Sequence, residues 1–370
     1  MQQQQNINFT PEQEVLLWAI RVDNKMDERV ADILAAGINW VHLRDSAVQH
    51  GIIPLLYRRL KKREIAKLVP PEELLEFQSL FQENIVRNIR MTQHLFSIID
   101  LLADSGIETM PFKGPVLAVQ VYGDLSMRSF SDLDILIHAD DLSRAYRVLT
   151  DHGYFLDDPD RIGVERRLAL FDQKDLCFSF KKDILEVHWK IIEKMYAVPL
   201  DMNHFWDRSL NISINDKKVR TLSPEDVIII LCFHGLKHSW QNLNGLADLI
   251  YAISDSPELR WHDIFVRAEN MGLKRILLIG LFLAHKYGGG RFGFESEKQL
   301  TLDSTMLQIV SNIEGNLFQS HPIGASNITP FLYLRSRERF KDKIVYLCYF
   351  LTVEATTFPS RFRRWFCGKL

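Results

Sequence analysis

Two aspartates separated by one residue lie in the segment MPFKGPVLAVQVYGDLSMRSFSDLDILIH, which covers residues 110–138. Its end, DLDILIH, alternates and is rich in branched apolar residues, which predicts a strand. Residues two apart on a strand point to the same face, so Asp132 and Asp134 share one face while Leu133 and Ile135 point into the core. Two carboxylates on one face repel each other unless a cation lies between them, and hard oxygen ligands suit Mg²⁺ or Mn²⁺. The pair predicts a metal site, and the alternative is a polar strand face exposed to water.

A glycine that opens a helix precedes the two aspartates. Gly114 ends a short apolar strand, and Pro115 stands at the first position of the helical segment PVLAVQVYG. The free N–H groups at such a helix start can bind phosphate, and Lys113 adds a positive charge beside them. A third carboxylate, Glu186 in ILEVHWK, lies on a strand that we expect in the same sheet. Three carboxylates next to a phosphate site are what metal-assisted phosphoryl or nucleotidyl transfer requires.

The elements that must position these residues follow from the hydrophobic pattern. After a polar tail of residues 1–10, apolar residues recur at helical spacing through residues 11–106. Residues 107–215 alternate between strand and helix patterns and include KDLCFSFKKDILEVHWKI, which predicts two strands joined by a polar turn. Residues 216–370 return to helical spacing. The predicted fold class is α+β (mixed α/β), a small mixed sheet flanked by N-terminal and C-terminal helical regions.

Composition and charge place few demands on partners. The chain has 370 residues, of which 46% are hydrophobic and 25% are charged, and its net charge is -2. These values are ordinary for a globular protein and require neither nucleic acid nor a membrane as a partner. The longest apolar stretch, residues 344–353, is too short to span a bilayer as a helix. The N-terminus lacks the pattern of a signal peptide and the four cysteines form no CxxC pair, so we expect a cytoplasmic protein with reduced thiols.

The C-terminal forty residues are locally basic. The nine basic residues of this tail are Arg335, Arg337, Arg339, Lys341, Lys343, Arg361, Arg363, Arg364 and Lys369. Such a tail could bind the phosphates of RNA. A solvated basic face is the favoured interpretation, with RNA as an acceptor or partner the alternative.

The order of the motifs resembles the nucleotidyltransferase superfamily that includes DNA polymerase β and the antibiotic nucleotidyltransferases. More narrowly, it is similar to a bacterial family of uncharacterised nucleotidyltransferases, whose hallmarks are a K-G turn, a Y-x-D segment, an R-x-x-x-D-x-D segment and a D-L-H-W strand. The corresponding residues here are Lys113 and Gly114, Tyr122 and Asp124, Arg128 with Asp132 and Asp134, and Glu186 to Trp189. A further family-like stretch is HGLKHSWQNLNGLADL at residues 234–249. The resemblance runs from about residue 30 to residue 285.

The resemblance implies a nucleotidyltransferase-fold core. Such a protein transfers a nucleoside monophosphate from an NTP to a hydroxyl or phosphate acceptor, here unknown, and releases pyrophosphate with Mg²⁺ (or Mn²⁺) as cofactor. The residues that the resemblance assigns to catalysis and metal binding are Asp132, Asp134 and Glu186. Those that it assigns to nucleotide binding are Lys113, Gly114 and Arg128. Those that it places at the cleft, or packed against it, are His188, His234, Lys237, His238 and Asp248.

Several histidines have more than one interpretation. His234 and His238 are four residues apart on a predicted helix and share a face, which would suit zinc. A zinc protease pattern needs Glu after the first histidine, where this sequence has glycine, so we favour a place at the cleft. For His188 and Trp189 the favoured interpretation is packing behind Glu186, and substrate contact is the alternative.

Two positions depart from the pattern of the family. Pro115 stands where the superfamily has a second small turn residue, Ser or Gly, and Glu186 stands where the narrower group usually has Asp. Proline removes one N–H from the phosphate-binding helix start, and Glu reaches one methylene further than Asp. The alternative function is therefore a non-catalytic protein that binds a nucleotide or another partner on the same fold.

Overall fold

The computed structural model describes residues 8–157, 174–254, 258–290, 300–318 and 330–351. Helices dominate, and the described strands form a mixed sheet of five strands and a separate sheet of two strands. The predicted α+β class is confirmed. The last four basic residues of the C-terminal tail lie outside the described residues.

All of the regular secondary structure described before the first strand is helical. The bounds of these helices are α1 (Pro11–Ala19), α2 (Asp27–Ala36), α3 (Trp40–Gln49), α4 (Ile53–Leu60), α5 (Arg63–Ala66) and α6 (Pro71–Asp104). α1 begins with reciprocal hydrogen bonds, since the Thr10 side chain accepts one from the Gln13 N–H and the Gln13 side chain accepts one from the Thr10 N–H. The helical pattern of residues 11–106 is thus present in the structure.

The long helix α6 joins the two hydrophobic cores of the molecule. Its 34 residues give it a length of about 51 Å at 1.5 Å per residue. Near its start, Phe77 packs in the core formed mainly by the helical regions. Further along, Met91, Leu95 and Ile98 pack in the core under the five-stranded sheet. The same rigid element therefore supports both the helical regions and the sheet.

The five-stranded sheet carries the two aspartates. Its strands are β1 (Thr109–Pro111), β2 (Asp132–Ile137), β3 (Phe155–Leu156), β4 (Asp175–Phe180) and β5 (Asp183–His188). Their order is β1-β2-β5-β4-β3. β2 pairs with β5 in parallel, and the other neighbours are antiparallel. The predicted hairpin is confirmed as β4 and β5, and the predicted common sheet for Asp134 and Glu186 is confirmed by the β2–β5 pair.

Alternation along β2 and β5 separates apolar from acidic side chains. Leu133, Ile135, Leu185 and Val187 are at most 1% exposed and pack in the core under the sheet. The prediction that Leu133 and Ile135 point into the core is confirmed. Two helices lie before and after β2 in the chain: α7 (Gly114–Tyr122) connects β1 to β2, and α8 (Leu142–Asp151) follows β2.

A second hairpin is absent from the sequence interpretation. After α9 (Met202–Arg208), the strands β6 (Leu210–Ile214) and β7 (Lys217–Thr221) pair antiparallel. Their turn is Asn215 and Asp216, both with positive φ, as two-residue hairpin turns require. The turn lies at the predicted boundary after residue 215, so β7 lies in the range predicted to be helical.

The rest of the described chain is helical. The bounds are α10 (Pro224–Lys237), α11 (Leu243–Ile253), α12 (Trp261–Asn270), α13 (Lys274–Gly288), α14 (Ser304–Asn316) and α15 (Pro330–Ser336), followed by a helical stretch at residues 340–351. Gly289 follows α13 with φ +73°, the left-handed conformation that commonly ends a helix at a glycine. None of the described helices combines the length and the apolar composition that crossing a membrane requires.

Candidate functional site

The parallel register of β2 and β5 brings acidic side chains from distant parts of the chain together. Asp134 lies directly opposite Glu186, and His188 lies two residues further along β5. The Nε2 atom of His188 is 3.0 Å from Asp134 Oδ1 and 3.1 Å from Glu186 Oε2. One ligand atom from each of these residues lies within 4.8 Å of the others. We call Asp134, Glu186 and His188 the acidic group.

The turn before α7 places a lysine on the acidic group. The Nζ atom of Lys113 is 2.9 Å from Asp134 Oδ1, so the ammonium that we expected at a phosphate forms an ion pair with a predicted metal ligand. Gly114 follows with φ +53°, and a Cβ at this position would lie 3.3 Å from the Asp132 carbonyl oxygen. The left-handed backbone and the close approach explain the glycine. The K-G pair thus fixes how the lysine approaches β2.

The surroundings shift the pKa values of Asp132, Asp134 and Glu186 in different directions. Burial alone would raise the pKa of Asp134, but the Lys113 ammonium and the hydrogen bond from His188 hold it well below its ordinary value. The hydrogen bond from His188 lowers the pKa of Glu186 against the effect of burial. In contrast, burial and the charge of Asp134 raise the pKa of Asp132. The site therefore holds at least two ionised carboxylates, which are crowded against a third.

The acidic group fits a divalent cation. Asp134 Oδ2 is buried and has no hydrogen-bond partner among the described residues. A buried carboxylate oxygen without a partner is costly, and a metal ion would satisfy it. Carboxylates suit Mg²⁺ and Mn²⁺, whereas an imidazole ligand suits softer metals. Asp134 and Glu186 could hold such an ion, with Asp132 on the same strand.

His188 contributes more than packing. Carboxylates only accept hydrogen bonds, so a His188 Nε2–H that donates to Asp134 and Glu186 orients both of them. Its ring also makes an edge contact with Phe112 at a centroid distance of 5.1 Å. Trp189, by comparison, lies in the core under the sheet, where we expected it. The favoured packing interpretation therefore suits Trp189 and is incomplete for His188.

A second polar cluster joins three hallmark segments of the sequence. Arg128 Nε donates to both carboxylate oxygens of Asp248, at 3.1 Å and 3.0 Å, and the Tyr122 hydroxyl donates to Asp248 Oδ1 at 2.9 Å. Asp248 is 1% exposed, and burial raises its pKa despite the opposing effect of Arg128. Arg128 is also close enough to lower the pKa of Asp132. The arginine therefore connects the acidic group to the C-terminal helices.

Two asparagines on α6 hold the segment that carries Arg128, and the sequence interpretation missed both. Asn88 Nδ2 donates to the carbonyl oxygens of Leu125 at 2.6 Å and Arg128 at 2.8 Å. Asn84 Nδ2 donates to the Ser126 carbonyl oxygen at 3.0 Å. Both asparagines are buried. The available signal is their spacing of four, which puts two amides on the apolar face of a helix.

A cavity of about 390 Å³ is lined by Arg128 and Asp248 of the second cluster and by Lys113, which pairs with Asp134, whereas Asp132, Asp134, Glu186 and His188 are not among its lining residues. The predicted site residues that line it are Lys113, Arg128, His234, His238 and Asp248. Lys237 is not among the lining residues and forms an ion pair with Glu193 at 2.5 Å. Among the described residues, the group that could hold a metal ion is the acidic group. It contains neither His234 nor His238, so the zinc alternative has no support.

Comparison with known proteins supports the resemblance to the uncharacterised nucleotidyltransferases. The family of uncharacterised nucleotidyltransferases matches residues 36–289. The chain belongs to this family. Most of the hallmark residues lie in two clusters of the structure, the acidic group with Lys113 and the cluster of Tyr122, Arg128 and Asp248.

Two further comparisons add little detail to the family assignment. The solved structure of an antigenic nucleotidyltransferase-like protein from Paracoccidioides brasiliensis is 18% identical, and the match covers 50% of this chain and 88% of that chain with a TM-score of 0.25. No curated protein matches the sequence. The position of the candidate site in this member of the nucleotidyltransferase family is therefore inferred from the geometry of this chain alone.

Proposed function

We propose that the protein transfers a nucleoside monophosphate from an NTP to a hydroxyl or phosphate acceptor, with Mg²⁺ (or Mn²⁺) as cofactor and pyrophosphate as product. The observation that carries the proposal is the register of β2 and β5, which sets Asp134 opposite Glu186, together with the buried Asp134 Oδ2, which accepts no hydrogen bond from the residues that the structure describes. We also propose membership in the superfamily that includes DNA polymerase β, and a catalytic unit within residues 107–215.

Each residue of the site has a proposed role. When bound, the cation would neutralise charge on the triphosphate. Asp134 and Glu186, with Asp132 beside them, would hold it, and His188 would orient the two carboxylates through its hydrogen bonds. Glu186 would also accept the proton of the acceptor hydroxyl. The carboxylates would therefore bind the cation, and the positively charged side chains of the site would bind the nucleotide.

Positive charge for the nucleotide comes from two sides. Lys113 and the N–H groups that follow Gly114 at the start of α7 would bind phosphate oxygens. Pro115 lacks one N–H, so the lysine carries more of this role than in relatives with Ser or Gly. Arg128, held in place by Asp248, Asn84 and Asn88, would stabilise negative charge that develops during transfer.

The second candidate is a non-catalytic nucleotide-binding or partner-binding protein. The observation that favours it is the ion pair between Lys113 and Asp134, because the chain neutralises part of its own acidic group. Pro115 and Glu186 would then mark lost chemistry. Titration of NTP with and without Mg²⁺, together with an assay for pyrophosphate release in a pool of acceptors, separates the two candidates.

Asp134→Asn tests the metal assignment. The change keeps the shape of the side chain and removes its charge, so Mg²⁺-dependent ATP binding should weaken at least tenfold. Asp140→Asn, at an exposed position shortly after β2, is the matched control and should bind as the wild type does. Unchanged Mg²⁺-dependent affinity in Asp134→Asn would contradict the assignment.

A further inference from the structure

The cavity beside the acidic group has the size of a small-molecule site. Its volume is about 390 Å³, which is within the usual range for such sites. The residues that line it come mainly from the connection between α3 and α4, the turn before α7 with α7 itself, the segment that carries Arg128, and the helices α10 and α11 with the connection between them. Its wall is therefore made of helices and their connections, and none of the lining residues lies on a strand of the five-stranded sheet.

Three residues of the cavity wall also touch the side of the site where transfer would occur. Phe112 contacts the ring of His188, and Lys113 forms its ion pair with Asp134. Arg128 acts electrostatically on Asp132. A molecule in the cavity would therefore have one end next to the acidic group.

Apolar and polar side chains both line the cavity. The apolar side chains include Leu117, Leu222, Val227, Ile230, Leu231 and Trp240. The polar side chains include Gln49, His50, His234, His238, Gln241 and Asn244. Such a lining suits a ligand with a compact apolar body and a few hydrogen-bonding groups.

The charged groups of the wall favour a neutral ligand. Lys113 and Arg128 are paired with Asp134 and Asp248 and are assigned above to the nucleotide, so neither is assigned to the molecule in the cavity. Burial lowers the pKa of His238 to about 4 and lowers that of His234 as well. Neutral imidazoles each have one donor and one acceptor, which matches a hydroxyl group.

We propose that this cavity is the acceptor subsite and takes a neutral molecule with a compact apolar body and at least one hydroxyl group. The inference rests on the proposed nucleotidyl transfer. The acceptor oxygen would form a bond to the α-phosphorus as the bond from that phosphorus to the bridging oxygen of pyrophosphate breaks. The hydroxyl proton would pass to the Glu186 carboxylate, and the leaving oxygen would take the electron pair of the broken bond.

Gly245 provides a way to fill the cavity without disturbing the site. It lies on the cavity wall within α11, and a Cβ at this position meets no atom within 4 Å. Gly245→Leu should therefore occupy part of the cavity while the helix is retained. Gly315→Leu is the matched control, because Gly315 is an exposed glycine of α14 that also has open space at the Cβ position.

The probes are MgATP and a set of neutral phenols and benzylic alcohols, observed by ligand-detected NMR with and without MgATP. Alcohols of the set should bind the wild type and Gly315→Leu, and their binding to Gly245→Leu should weaken at least tenfold. MgATP affinity should stay within twofold in all three proteins. If MgATP does not bind, the proposed transfer fails, and the role of the cavity as an acceptor subsite fails with it. The alcohol measurement without nucleotide would still show whether the cavity binds a neutral ligand.

Three other outcomes would overturn the inference. A tenfold loss of MgATP affinity in Gly245→Leu would place part of the nucleotide in the cavity. Equal binding of the alcohols to the wild type and Gly245→Leu would place them elsewhere. Binding of none of the alcohols to the wild type would reject this class of acceptor.

Discussion

Removing the charge of Asp248 should destabilise the protein by about 3 kcal/mol, because the Arg128 guanidinium would lose its buried counter-ion. Asp248→Asn is the appropriate change, since Asn keeps the shape and one acceptor oxygen. The carboxylate is 1% exposed, and it accepts hydrogen bonds from both Arg128 and Tyr122.

The magnitude follows from the burial of the pair. Breaking a buried ion pair by removing one partner costs about 3–5 kcal/mol. The Arg128 side chain is 12% exposed, so some contact with water reduces the penalty to the lower end of that range. Burial also raises the pKa of Asp248 even with Arg128 beside it. Because removing two charges from water is costly, a buried ion pair is often no more stabilising than apolar residues of similar volume.

Removing all three polar groups should therefore cost less than removing one charge. The triple variant Tyr122→Phe, Arg128→Met and Asp248→Leu leaves no buried polar group of the cluster without a partner. We expect its free energy of unfolding to lie within about 1 kcal/mol of the wild-type value.

Urea unfolding followed by tryptophan fluorescence and by circular dichroism measures these differences, with Asp140→Asn as an exposed control. Agreement of the two probes checks that a single transition is observed. A loss below about 1 kcal/mol in Asp248→Asn, or a triple variant less stable than Asp248→Asn, would refute this account of the cluster.

Three further predictions concern the turn, the third acid and a buried histidine. Gly114→Val should cost about 1–3 kcal/mol, because φ is +53° and the new side chain approaches the Asp132 carbonyl; it should also weaken NTP binding. Glu186→Gln should lower kcat for pyrophosphate release about 100-fold and should weaken NTP binding less than Asp134→Asn does, because Asp132 and Asp134 remain to hold the cation; Glu186→Asp should keep measurable turnover. His50, whose pKa burial lowers to about 4 from 6.5, should make unfolding about 2 kcal/mol easier at pH 5 than at pH 8. The sign follows because the unfolded chain binds the proton between these pKa values, so stability is lost as the pH falls.

A different result would contradict each of these three predictions. Normal NTP binding by Gly114→Val would move the phosphate site away from α7. Equal turnover of the wild type and Glu186→Gln would remove Glu186 from the chemistry. For the histidine, His50→Gln should reduce the loss of stability between pH 8 and pH 5 by about 2 kcal/mol, while His234 and His238, whose pKa values burial also lowers, still contribute to the loss. An unchanged pH dependence would show that His50 is not responsible.

Local pattern accounts for much of the fold. Alternation in DLDILIH placed Leu133 and Ile135 in the core, and the K-G-P sequence placed the start of α7. These features depend on neighbours within a few residues, which a sequence displays directly. The hairpin of β6 and β7 was missed because its strands are short and its turn, Asn215 and Asp216, gives only a weak signal.

The sequence by itself determined which residues could do chemistry and on which elements they lie. The tertiary structure alone decided that Lys113 binds Asp134, that His188 bridges two carboxylates, and that Arg128 meets Asp248, which lies 120 positions away in the chain. These contacts join segments far apart in sequence, and their geometry depends on strand register and helix packing. Periodicity describes one segment at a time, so it carries no information about which segments become neighbours.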